Sequence, residues 1–116
     1  MTQTTAKSVI VFPGNLVVGA GQAAESWQVS NTIAGASAVT CDLTFTLKND
    51  YGQIPAICGT PMLTIGEDSS TTKIVAWYVK SQSTSSIVVT VEVDQAAGSG
   101  KTNTITMCAY IAGQQA

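Results

Sequence analysis

From Ser86 onward the chain changes polarity at every residue. Ile87, Val89, Val91 and Val93 alternate with Val88, Thr90, Glu92 and Asp94, and after Ala96-Ala97-Gly98-Ser99-Gly100-Lys101 the pattern resumes. Ile105, Met107, Ala109 and Ile111 then fall on one side, with Thr104, Thr106, Cys108 and Tyr110 on the other. In an extended chain successive side chains point to opposite faces, so this alternation specifies strands with one apolar and one polar face. Such a pattern cannot wrap an apolar stripe around a helix, whose faces repeat every third or fourth residue. The Gly-rich link between the two runs predicts a β-hairpin.

The same grammar runs through most of the chain. Val39, Cys41, Leu43, Phe45 and Leu47 oppose Thr40, Asp42, Thr44, Thr46 and Lys48, the signature of an antiparallel strand with one face in water. Ser8–Phe12, Leu16–Val18, Glu25–Ser30 (with Trp27 and Val29 on one face) and Met62–Ile65 predict further short strands. Lys73–Lys80 is apolar on both faces, as a central strand or one beneath a partner would be. Pro13-Gly14-Asn15, Asn31–Ser37, Asn49–Gly52, Gly66–Thr72 and Ser81–Ser85 predict turns and loops, and Gln53–Pro61 an irregular segment. The expected fold is all-β: an antiparallel β-sandwich or jelly roll of about seven to eight strands. Residues 1–7 are expected to form a flexible N-terminal arm and 8–116 a single domain.

A chain of 116 residues can bury roughly 65% of its unfolded surface, enough for a core without metal or disulfide staples. Only 10% of the residues are charged. Hydroxyl-rich, weakly charged surfaces offer little repulsion between copies, which points to self-association or a place in an assembly. The five basic residues are all Lys, and the net charge is -2. Without Arg or a basic patch, nucleic acid is not an expected partner. No apolar run reaches the roughly 18 residues of a membrane-spanning helix. The polar start Met1–Lys7 lacks the apolar stretch of a signal peptide, so synthesis in a cytoplasm is expected. Cys41, Cys58 and Cys108 are odd in number and widely spaced. They are expected to be reduced and mostly buried, with a single bridge left open.

Chemistry-bearing motifs are few. Leu16-Val17-Val18-Gly19-Ala20-Gly21-Gln22-Ala23-Ala24 fits the glycine fingerprint of dinucleotide sites, but the residues after it are weak helix formers, so a glycine-marked bend is the better expectation. Ser70-Thr71-Thr72-Lys73 matches the Ser-x-x-Lys pair of penicillin-recognising enzymes yet lies in a polar loop before a strand. There is no His, so neither a Ser-His-Asp triad nor an imidazole metal ligand is available. Glu67-Asp68 and the pair Glu92 and Asp94 read as solvated charge. No enzyme, cofactor or metal is expected. Core packing is the expectation for Trp77. Tyr78 or Tyr110, if turned outward, would suit a protein partner or a sugar ring, because each joins a rigid apolar face to a polar edge.

Pro61-Met62-Leu63 through Ser69-Ser70-Thr71-Thr72-Lys73-Ile74-Val75-Ala76-Trp77 resembles a stretch of the lambda-type phage head decoration proteins, in which a Pro and apolar run precedes a Ser/Thr turn, a basic residue and an aliphatic-Ala-Trp. Chain length and the polar, Thr-rich start are similar too. The resemblance implies a small virion surface protein, often trimeric, that clamps neighbouring subunits of a major capsid protein. It also implies a docking role for the N-terminal arm, here Thr2, Gln3, Thr4, Thr5 and Lys7. The leading expectation is therefore a non-enzymatic capsid decoration protein, homo-oligomeric and located on the virion. The alternative is a carbohydrate- or receptor-binding sandwich module of a tail or fibre, working through Tyr78 or Tyr110.

Overall fold

The computed structural model describes residues 5–8, 19–65 and 72–116. They contain strands and no helix: β1 (Thr5–Ser8), β2 (Gln22–Gly35), β3 (Thr40–Thr46), β4 (Ala56–Ile65), β5 (Ile74–Gln82), β6 (Ser86–Val93) and β7 (Gly98–Gln114). All pairings are antiparallel. One sheet has the order β2-β7-β4, with the four-residue β1 added outside β2; the other has the order β3-β6-β5. The sandwich-like body is thus built from six long strands rather than the seven to eight expected. The two other expected strands, 8–12 and 16–18, lie outside the described residues apart from Ser8, as do residues 1–4 of the expected arm and the loop at 66–71.

Alternation decides which faces meet. Trp27, Val29, Ile33, Ile105, Met107 and Ile111 of the first sheet and Leu43, Phe45, Ile87, Val89, Val91 and Val93 of the second are buried in one cluster. At about 3.3 Å per residue, the 17 residues of β7 span the long dimension of a body measuring 50 × 27 × 21 Å.

Four expectations are corrected by the register. The predicted hairpin of the C-terminal third does not form: β6 pairs with β3 and β5, while β7 pairs with β2 and β4. Both runs are apolar on one face, and each buries that face best by lying across the core from the other. The stretch 31–37, expected to be a loop, continues β2 as far as Gly35. Asn31 and Ile33 keep the inward alternation, Asn31 by donating from Nδ2 to the Asp42 carbonyl at 2.8 Å. The ladder shifts only between Ala34 and Gly35, where Gly35 takes a φ of 96° that a residue with a Cβ rarely adopts. The irregular segment 53–61 contains six residues of strand, since β4 begins at Ala56. Pro61 is tolerated because β4 is an edge strand and needs no ladder donor on its outer side. Within β4, Gly59 lies so close to β7 that a Cβ there would overlap the Cys108 carbonyl oxygen.

The fourth correction concerns β5. It is an edge strand, not a central one, and its residues from Val75 to Gln82 are exposed. The cysteines also differ from expectation: Cys41 is buried, whereas Cys58 and Cys108 are exposed, and all three are free thiols.

Candidate functional site

Burial alone would single out Glu25, and its surroundings show why it is a clamp. Its Oε1 accepts from Trp27 Nε1 and, at 2.8 Å, from the Lys48 backbone; its Oε2 accepts from Asn49 N and Nδ2 at 3.0 Å each and from the Tyr51 hydroxyl at 2.8 Å. Burial, the largest single influence, pushes this carboxyl up, but those donors together hold it below the ordinary value. Burial pushes the Tyr51 phenol up to about 12, so it remains a proton donor to Glu25 at neutral pH. The Lys48 ammonium lies 5.3 Å from the centre of the Trp27 ring. With its lone pairs committed to the donors that join β2 to the β3–β4 connection, Glu25 is a structural group.

The outward-facing chemistry is on β5 and the strands beside it. Trp77 pairs with Val91 and Val79 with Val89, and both partners are fully buried. Trp77 and Val79 are therefore on the core-facing side of their sheet, yet they are 40% and 37% exposed. Ile74, at the start of β5, still packs against the core, but from Val75 onward the strand is exposed, so the covering layer does not extend along it. Among the described residues no strand pairs with the outer edge of β5.

On the opposite face of the same sheet, Asp42 of β3, Thr90 of β6 and Tyr78 of β5 form one register row. Asp42 accepts from Thr90 Oγ1 at 2.8 Å through Oδ1, and from Lys80 Nζ at 2.9 Å through Oδ2. The register shifts at Lys80, between Val79 and Ser81, and its long side chain reaches over β6 to the carboxylate. The Lys80 hydrogen bond, opposed by partial burial and aided by Thr90, holds Asp42 below the ordinary carboxylate range; Asp42 in turn raises Lys80. The end of β2 borders this row, and between them lies an open cleft of about 470 Å³ lined by Thr32, Ile33, Ala34, Ala38, Thr40, Cys41, Asp42, Tyr78, Lys80 and Thr90. Cys41 alternates with Asp42 and turns its side chain to the core, where burial, assisted by the Asp42 charge, pushes the thiol up to about 11 and keeps it protonated.

The residues singled out from the sequence do not converge. Thr2, Gln3 and Thr4 lie outside the described residues; Thr5 and Lys7 are on β1, opposite Ser30 and Gln28. Tyr78 is in the cleft and 57% exposed. Tyr110 is half-buried on β7, opposite Ser26 and Cys58, on the outer face of the other sheet. The Gly19–Ala24 stretch leads into β2 and not into the helix that a dinucleotide site requires. Glu92 and Asp94 are both exposed, and Asp94 accepts from the Lys73 backbone at 2.8 Å. No group of three or more His, Cys, Asp or Glu among the described residues is arranged to hold a metal ion. Asp42, Lys80 and Thr90 each read locally as an ordinary solvent-facing strand residue. Only the β3-β6-β5 register unites them.

Comparisons of the chain with protein-family models, with curated proteins and with solved structures return no match.

Proposed function

We propose that this chain is a non-enzymatic structural protein of a phage virion, a decoration protein that joins neighbouring capsid subunits and acts as a homo-oligomer. The observation that carries the reading is the core-type face of β5: Trp77 and Val79 sit in register with fully buried valines but are themselves left uncovered. Exposed aromatic and aliphatic residues on an open sheet edge gain free energy when a protein surface covers them, through apolar burial and through pairing of edge backbone groups. Low charge and the resemblance of residues 61–77 to head decoration proteins support the same reading. In it, Thr2–Lys7 ties the protein to the shell and the β5 face is covered in the assembled particle.

The test measures mass in solution by light scattering, and co-sedimentation with capsids of the phage that encodes the chain. Wild type should form a closed oligomer or bind capsids. Trp77→Ser with Val79→Ser, and separately deletion of residues 1–7, should weaken capsid binding by about tenfold or more, as losing a central aromatic anchor commonly does. A monomer that leaves capsids bare would refute the proposal.

A further inference from the structure

We infer that the cleft between the end of β2 and the outer face of the β3-β6-β5 sheet is a binding site for a neutral saccharide, with Tyr78 as the stacking platform and the Asp42–Lys80 pair as the hydroxyl reader. This inference is independent of the decoration reading, which rests on the opposite face of β5.

The chemistry of the lining selects the ligand class. The cleft, about 470 Å³, falls within the roughly 300–1,000 Å³ of small-molecule sites. Its two charged groups neutralise one another at 2.9 Å, so neither an anion nor a cation meets a net opposite charge there. What the pair offers instead is an acceptor and a donor side by side. Asp42 retains unused acceptor capacity beyond Thr90 and Lys80, and the Lys80 side chain, 57% exposed, has two further N–H donors. Adjacent hydroxyls of a sugar ring both give and accept hydrogen bonds, so a diol can bridge these two groups with its own lone pairs and protons satisfied. Thr32 and Thr40 add exposed hydroxyls along the rim.

A pyranose also presents an apolar face of C–H bonds, which needs a flat, electron-rich surface. Tyr78 supplies that surface at the mouth of the cleft, in register with Thr90 and hence with the Asp42 carboxylate. Ala34 and Ala38 add small apolar side chains to the lining. The polar groups are positioned in advance: Thr90 holds one carboxylate oxygen, Lys80 the other, and Asn31 holds the Asp42 backbone carbonyl. Little ordering therefore remains to oppose binding.

The experiment is a nuclear magnetic resonance titration of the full chain with neutral hexose and N-acetylhexosamine oligosaccharides, chosen from a glycan array. Wild type should bind at least one of them, with shifts confined to residues of the cleft. Tyr78→Ala should weaken binding by about tenfold or more, and Tyr78→Phe should retain it within about threefold, because the ring and not the hydroxyl is the platform. Asp42→Asn should weaken binding about tenfold, since it removes the ionised acceptor. Tyr110→Ala, on the other sheet, should change nothing. Melting curves confirm that each variant is folded; if Asp42→Asn fails to fold, Lys80→Ala at the exposed end of the pair replaces it. The inference is overturned if no neutral oligosaccharide shifts cleft resonances at millimolar concentration, or if binding survives Tyr78→Ala and the Asp42 or Lys80 variant unchanged.

Discussion

Where β2 meets β3, polar side chains sew the two layers together. Asn31 reaches the backbone of β3, and Glu25 gathers donors from Trp27, Lys48, Asn49 and Tyr51. On the edge strand β5, by contrast, Trp77 and Val79 stand partly in water. The usual correspondence of polar with outside and apolar with inside is thus inverted between the two sides. A carboxylate is buried where donors surround it, and an indole is exposed on an edge strand. Position in the layers, not side-chain polarity, decides each case.

The largest expected effect comes from the closed side. Phe45→Ala, at a fully buried position, should cost about 4 kcal/mol by leaving a cavity. Trp77→Ala should cost about half as much, because its ring already keeps part of its surface in water. Denaturant unfolding checks both, and equal losses would mean that the two sides are equally closed.

Glu25→Gln should cost about 3 kcal/mol, because an amide turns its own donors toward groups that must donate. The pH dependence carries a sign. The folded carboxyl is held below its ordinary value of 4.5, so its contribution is fully present above that value and fades as pH falls through the lower folded one. The gap in stability between wild type and Glu25→Gln should therefore narrow on acidification through that window. A gap that stays constant would contradict the clamp.

Gly59→Ala should cost about 2 kcal/mol, since the added methyl would force β4 away from the Cys108 carbonyl. Amide exchange should then speed up in β4 before β2. The smallest effect belongs to Lys80→Ala. Its ammonium is solvent-exposed, so the melting midpoint should stay where it is while saccharide binding falls. A large drop in midpoint would recast the pair as a structural clamp like Glu25.

Several strands could be read directly. The run 39–48 contains β3, and the inward sets of β6 and β7 are those that alternation assigns, because a half-buried strand writes its two faces into every second residue. Strand continuity was harder. The buried Asn31 and edge-strand Pro61 look like breakers until the partner that satisfies the first and the open edge that tolerates the second are known.

By itself, then, the sequence determined that the chain is all-β and which face of the clearest strands is apolar, because alternation is a local property of an extended backbone. Only the tertiary structure decided which strands are neighbours, that β6 and β7 face one another instead of forming a hairpin, and that β5 is an edge. The cleft belongs to the same category. Asp42, Thr90, Tyr78 and Lys80 are far apart in the chain, and nothing local marks them. They meet because antiparallel pairing through β6 fixes their register and because the side chain of Lys80 is long enough to cross the strand between.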